Sequence, residues 1–237
     1  DMMCRGFLIG GTAGRTTLNG EGIQHQDGHS HLIANTFPNL KSYDPAFAYE
    51  LVVIIREGIR RMYELLENIF YYITAYNENY EMPSMPKKKQ SQEGILAGAY
   101  HYQSTASEKS SQVHLLGSGS IMQQVLSAKA KLEELNIEVS VWSVTSYNEL
   151  YREAEECDRH NRLHPFDQEK APYVKQLFKK TRGVYVAASD YMKALPNSIA
   201  PWMPDNFLML GTDGYGLSES REDLREYFEI SADYICH

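Results

Sequence analysis

Residues 40–75 read LKSYDPAFAYELVVIIREGIRRMYELLENIFYYITA, and the periods within them decide the fold class. Residues 40–43 form a candidate strand, closed by Asp44-Pro45. From 46 to 66, Leu51, Ile54, Ile55, Ile59, Met62 and Leu66 recur at three- and four-residue steps, the stripe of an amphipathic helix. Asp44 is placed to cap that helix, with Pro45 in its first position. Residues 69–75 are β-branched and aromatic, which suits a strand. Strand, helix and strand in this order predict a right-handed crossover in a parallel sheet.

Working outward, residues 7–9 read as a short buried strand ended by Gly10-Gly11. Residues 12–31 hold no sustained period and are expected to be a long loop, a feature that is usually functional or disordered. On the other side, residues 77–92 carry Pro83, Pro86 and Lys87-Lys88-Lys89 and read as a solvated linker. The alternation then restarts. Strands are expected at 99–103, 113–116, 139–144, 183–188 and 207–210. Helices are expected at 121–135, from a Ser146 cap to 157, at 172–179, and from a Ser220 cap to 226. Strands interleaved with helices mean an α/β domain.

Composition narrows the partners. The 237 residues are 43% hydrophobic and 23% charged, as in an ordinary globular protein. A formal charge of −8 argues against a nucleic-acid surface. Cys4, Cys157 and Cys236 form neither a metal pattern nor a disulfide framework, which fits a reducing, cytoplasmic setting. With no signal peptide and no apolar run of spanning length, no membrane is expected as a partner. The chain enters an apolar run at Phe7 and stops at Tyr234-Ile235-Cys236-His237 without a helix, so a fragment of a longer protein is expected.

Chemistry concentrates in Gly20-Glu21-Gly22-Ile23-Gln24-His25-Gln26-Asp27-Gly28-His29-Ser30-His31. In an extended chain His25, Asp27, His29 and His31 would share one side, as metal ligands could. The same residues could instead satisfy backbone groups. Acid–base work by a histidine tuned by Glu21 is the third reading. Leu116-Gly117-Ser118-Gly119-Ser120 joins a strand to a helix and could hold an anion, although a tight turn needs small residues there anyway. Asp213-Gly214-Tyr215-Gly216 reads as a turn or an interface. Asn77-Glu78-Asn79-Tyr80 follows a strand end, where α/β proteins put ligands.

The run from Arg5 to His31 resembles the homodimeric type of pyruvate dehydrogenase first component. The resemblance continues through Ser42-Tyr43-Asp44-Pro45-Ala46, Asn77-Glu78-Asn79-Tyr80, Leu115 to Ser120, Val144-Thr145-Ser146, Ser189-Asp190-Tyr191-Met192-Lys193 and Leu210 to Gly214. It implies a transketolase-like α/β fold: the end of a pyrimidine-binding middle domain over 1–82, a linker over 83–98, and a truncated C-terminal three-layer domain with a mostly parallel sheet over 99–237. It implies oxidative decarboxylation of pyruvate in glycolytic metabolism, with thiamine diphosphate and magnesium as cofactors and acetyl transfer to the lipoyl domain of dihydrolipoyl acetyltransferase, by a homodimer. Glu21 and His25 match the family's active-site pair, His25 exchanging protons or hydrogen-bonding the pyruvate carboxylate and Glu21 orienting it. His29 and His31 match the motif without a defined role. The resemblance makes metal coordination by the alternating histidines improbable and implies that the cofactor-holding residues lie outside this chain. Leu217 stands where the family usually has a basic residue and Glu219 where it has Asp.

Two alternatives remain at this point. The chain alone could be a non-catalytic dimerisation or interaction module. The parent could be a transketolase acting on sugar phosphates, which would need basic residues near the loop. If the other walls of the site lie outside this chain, residues 12–31 are expected to be mobile, displaced or repacked.

Overall fold

The crossover over 40–75 is present in the computed structural model, which describes residues 3–11, 13–86, 89–105 and 112–237. Thr12 of the loop and Lys87-Lys88 of the basic run lie outside the described residues. Strand β1 (Phe7–Gly10), helix α1 (Ser30–Ala34), strand β2 (Leu40–Tyr43), helix α2 (Ala48–Ile59) and strand β3 (Phe70–Thr74) form the first unit. Its parallel sheet has the order β1-β3-β2, with Phe7 opposite Tyr71 and Leu40 opposite Phe70. Ile54, Met62, Tyr43, Tyr71 and Ile73 pack between helix and sheet.

Three details differ from the sequence reading. Glu50, not Asp44, serves the helix start: its carboxylate accepts the backbone N–H groups of Ala46 (2.7 Å) and Phe47 (3.1 Å). A π-helical turn at Arg60–Glu64 adds a residue to the last turn, and Leu66 ends it at φ +57. Past that turn Leu66 faces solvent while Met62 stays buried, and Ile59, just before it, is also exposed. Third, β1 is an edge strand, and Leu8 and Ile9 are more than half exposed rather than buried.

Residues 83–86 carry no regular secondary structure, and the chain then forms α3 (Lys89–Ala97), a helix without apolar periodicity in its first turn. It packs between α2 and β4 (Ala99–Ser104), and it replaces the second half of the expected linker. The second unit continues with β5 (Val113–Gly117), α4 (Met122–Glu134), β6 (Val139–Val144), α5 (Tyr147–Leu163), α6 (Tyr173–Phe178), β7 (Val184–Ala188), α7 (Ala194–Asn197), β8 (Phe207–Leu210), α8 (Arg221–Tyr227) and α9 (Ala232–Cys236). The expected caps are made: Ser146 Oγ accepts from the Glu149 N–H (3.0 Å) and Ser220 Oγ from the Asp223 N–H (3.1 Å). Helix α9 was not expected at the end of the chain; Ala232 and Ile235 pack it against α4.

The second sheet has the order β4-β6-β5-β7-β8, with β4 antiparallel and the rest parallel. Alternate strand residues serve opposite faces. Val139, Val141, Leu115, Val186 and Ala188 face α4, α8 and α9. Trp142, Val144, Leu116, Tyr185 and Ala187 face α5, α6 and α7. The result is the expected three-layer α/β/α domain. Going from β5, the chain moves to β6 on one side and then to β7 on the other, so the strand order reverses between β5 and β7. Their carboxyl ends flank the crevice where such sheets bind ligands.

The two sheets are joined through β2. The Asp44 N–H donates to the Thr145 carbonyl (2.7 Å), and the Gly119 N–H donates to the Asp44 carbonyl (3.2 Å). Ser146 Oγ donates to the Ser42 carbonyl (2.6 Å), and Asn148 Nδ2 donates to Ser42 Oγ (2.6 Å) and the His31 carbonyl (2.7 Å). Among the described residues no helix is long and apolar enough to cross a membrane.

Candidate active site

The 12–31 loop divides into a buried root and an exposed tip. Ala13, Arg15, Thr16, Thr17 and Leu18 are buried, whereas Asn19, Gly20, Glu21, Ile23, Gln24 and His25 are exposed. At the tip, His25 Nε2 and Glu21 Oε2 lie 3.7 Å apart, with both side chains about half accessible at 52% and 50%. The sequence pair is therefore brought together, facing water.

The alternating His/Asp set does not converge, because the chain turns instead of running extended. The Asp27 carboxylate folds back on α1, accepting the N–H groups of His29 (3.0 Å) and Ser30 (2.9 Å) and the Ser30 hydroxyl. It thereby terminates the loop in the manner of an Asx turn. His29 Nε2 accepts from the Arg15 guanidinium (2.9 Å), which fixes it as the acceptor nitrogen. His31 is fully buried against Tyr72 and Tyr191, and burial pushes its pKa down. The Thr74 hydroxyl donates to Asp44 Oδ1 (2.6 Å), so His31 Nε2 donates to Thr74 Oγ1 (3.3 Å). Among the described residues no three His, Cys, Asp or Glu side chains gather as a metal site.

The loop root rests on residues that sequence reasoning missed. Asp190, at the carboxyl end of β7, is fully buried. It accepts from the Thr16 N–H (3.1 Å), the Thr16 hydroxyl (2.8 Å) and the Thr17 hydroxyl (2.9 Å). The Thr17 and Ser120 hydroxyls lie 3.0 Å apart. Gly14 has φ +78, and a Cβ there would stand 2.0 Å from Asp190 Oδ2, so backbone shape and space both require glycine. A Cβ on Gly28 would likewise stand 2.2 Å from Arg15 Nε. Two hydroxyl residues shortly after Gly14, together with an Asp just past an expected strand, were the available signals.

The tip is tied to the loop that follows β8. Gly20 N–H donates to the Glu219 carbonyl (3.0 Å), and Ser218 Oγ donates to the Gly20 carbonyl (2.7 Å). Gln26 exchanges hydrogen bonds with the backbone of Leu217, at 2.5 Å to the carbonyl and 2.9 Å from the N–H. Arg221 Nε donates to the Thr17 carbonyl (2.7 Å), and the Arg221 N–H to Asn19 Oδ1 (2.9 Å). Residues 217–221, which follow Asp213-Gly214-Tyr215-Gly216, make this interface, and the loop is not bare, because the second unit supplies its contacts. Asn77-Glu78 serves the same surface through the Glu78–Arg225 pair. The strand-to-helix turn at Gly117–Ser120 is also occupied. The Gly119 N–H is spent on Asp44, and Ser120 Oγ lies against Thr17. A tight turn, not an open anion cradle, is what this geometry makes.

Burial raises the Asp190 pKa from 3.8 to about 6, against the pull of the threonine donors and Arg225. A raised carboxylate holds its proton more tightly folded than unfolded. Its stabilising share is complete below about 4 and lost as pH rises through about 6. Against an Asp190→Asn variant, the wild-type unfolding free energy should therefore fall by up to about 3 kcal/mol between pH 4 and pH 7.5. Urea titrations of both proteins across that range measure it; parallel pH profiles would contradict it.

The family model of the pyruvate dehydrogenase E1 component middle domain matches residues 1–83, and that of the transketolase-like C-terminal domain matches residues 98–231. The chain is 50% identical to the pyruvate dehydrogenase E1 component of Pseudomonas aeruginosa over 237 residues, covering 99% of this chain and 27% of that protein. It is 48% identical to that of Escherichia coli K12 (99% and 26%) and 45% identical to that of Mycobacterium tuberculosis (98% and 25%). The chain thus spans about a quarter of the length of these relatives. Among solved structures, a transketolase from Campylobacter jejuni superposes with a TM-score of 0.68 at 18% identity, over 97% of this chain and 30% of that one. A split-gene transketolase, described as an inactive β4 tetramer, superposes at 0.61 with 15% identity, over 97% and 64%. At these identities the structural likeness speaks for the fold.

Proposed function

We propose, from the premise that this chain belongs to the transketolase-like family and is a pyruvate dehydrogenase E1-type member of it, that the protein containing it oxidatively decarboxylates pyruvate and passes the acetyl group to a lipoyl acceptor. The observation that carries this reading is the Glu21–His25 pair, held 3.7 Å apart at the accessible tip of a loop whose root is fixed. His25 can give or take a proton, or hold the substrate carboxylate by a hydrogen bond. Glu21, 3.7 Å away, orients the imidazole.

Thiamine diphosphate with magnesium supplies the electron sink for decarboxylation. On this reading the chain contributes the Glu21–His25 side of the site, with the pair open to solvent, and the residues that would hold the cofactor lie outside it. We divide the chain at 1–82, 83–98 and 99–237, with the assembled enzyme homodimeric and the chain alone inactive. The sugar-phosphate alternative finds little support. The arginines beside the loop, Arg15, Arg221 and Arg225, spend their guanidinium groups on Thr212, Thr17 and Glu78.

In the full-length enzyme, His25→Ala should reduce pyruvate turnover by roughly 10²-fold or more. Near-normal turnover would remove His25 from the chemistry. Calorimetric titration of the 237-residue chain with thiamine diphosphate and magnesium should give no tight binding; stoichiometric binding would overturn the division of labour described here.

A further inference from the structure

We infer that the second α/β unit is the docking platform of the Glu21/His25 loop, that residues 13–18 fill its switch-point crevice as an internal ligand, and that Asp190 is the positioning residue that seats them. The inference rests on the catalytic reading of the tip, and it assigns a task to a unit that contributes neither member of the pair.

The crevice between the carboxyl ends of β5 and β7 is where a parallel sheet offers free backbone groups and small residues to a ligand. Here Thr16 and Thr17 enter it. Their hydroxyls meet Asp190 from the β7 end and Ser120 from the β5 end. The occupant is bound as a polar ligand would be, by a buried carboxylate with several donors converging on it. Arg225 closes the far side, with Nε 3.4 Å from Thr16 Oγ1, and Arg221 holds the Thr17 carbonyl. The charged groups around Asp190 are therefore Arg225 and, more remotely, Arg15.

Glu21 follows Thr17 by four residues, so the anchor sets where the tip begins. The tip contacts at Leu217, Ser218 and Glu219 come from the loop after β8, on the same sheet. Root and tip are thus referred to one rigid body. A displacement of about 1 Å at a reacting group can cost roughly 10²-fold in rate, so an anchor at this distance acts on turnover more than on substrate affinity.

The test uses the full-length enzyme carrying Asp190→Ala, Asp190→Asn or Thr17→Val. The readouts are kcat and KM for pyruvate and amide hydrogen exchange of residues 13–26 against residues 69–75. With Asp190→Ala, exchange in 13–26 should rise about tenfold or more, as for loss of hydrogen bonds to a charged group, with 69–75 unchanged. kcat should fall roughly tenfold or more with KM within about twofold. Asp190→Asn, which keeps one acceptor for Thr16, should recover part of both. If Asp190→Ala does not fold, Thr17→Val removes the hydroxyl contacts to Asp190 and Ser120 at nearly constant volume and should give the same pattern in weaker form. Unchanged exchange in 13–26 overturns the platform. Raised exchange with unchanged kcat overturns the positioning role when His25→Ala is impaired. If His25→Ala is itself fully active, the catalytic reading has failed, and the exchange result alone then decides the docking.

Discussion

Glu50→Ala should lower the unfolding free energy by about 3–5 kcal/mol and separate the unfolding of the two sheets. Glu50 is completely buried, and its carboxylate is the common acceptor of groups from both units. The Ala46 and Phe47 N–H groups donate from the first, at 2.7 and 3.1 Å. The Tyr100 hydroxyl (2.7 Å) and the Ser143 hydroxyl (2.6 Å) donate from the second. Burial pushes its pKa up while all of these donors pull it down. Truncation leaves the donors buried without an acceptor, and each such group costs about 1–3 kcal/mol. Glu50→Gln should be milder, because its oxygen keeps one pair of donors, but its amide nitrogen then faces the other pair. Trp142 and Trp202 both lie in the second unit, so fluorescence follows that unit alone while far-ultraviolet circular dichroism follows both. In the wild type the two transitions should coincide; in Glu50→Ala they should part. Coincident transitions with a loss under about 1 kcal/mol would remove Glu50 as the link between the sheets.

Glu50 also marks how far the sequence could be read. Its neighbours gave a clear helix stripe, and the strands over 40–43, 139–144 and 207–210 fall where the apolar and β-branched runs put them. Local chemistry sufficed for those elements and for the Ser146 and Ser220 caps. Glu50, however, sits on the buried face of α2, where period alone predicts an apolar residue. Its partners are 50 and 93 residues away, and nothing local announces them. The π-helical turn after Ile59 was hidden for a similar reason: it is fixed by packing of Met62 and by the Arg61–Glu67 pair, not by any breaker residue. At the site, the His/Asp alternation suggested an extended run, yet Asp27 finds its donors two and three residues on and turns the chain instead. The resemblance singled out Glu21 and His25 as candidates. It did not reveal that the loop's root is held by the other unit, because Thr16 and Asp190 are 174 residues apart.

Arg225→Met is the second large effect, expected at about 3–4 kcal/mol. Arg225 is almost fully buried, and its guanidinium meets the Glu78 carboxylate in a two-pronged pair, Nη1 to Oε1 at 3.0 Å. Glu78 keeps only 15% of its side chain exposed, so removing the arginine leaves a poorly hydrated carboxylate. Most of the loss is that orphaned charge and not the attraction itself, and a double substitution separates the two. Adding Glu78→Gln to Arg225→Met should restore about 1–3 kcal/mol, a coupling expected for residues in direct contact. Additive losses would mean that the pair contributes little and that packing of the long side chain carries the effect. The same variant also tests the loop anchor. Arg225 is among the groups pulling the Asp190 pKa down, so its removal should move the Asp190 step in the pH profile above about 6. The stabilising share of Asp190 would then persist to higher pH in Arg225→Met than in the wild type. An Asp190 step at the same pH in both proteins would mean that Arg225 braces Glu78 alone and leaves the seat of the loop untouched.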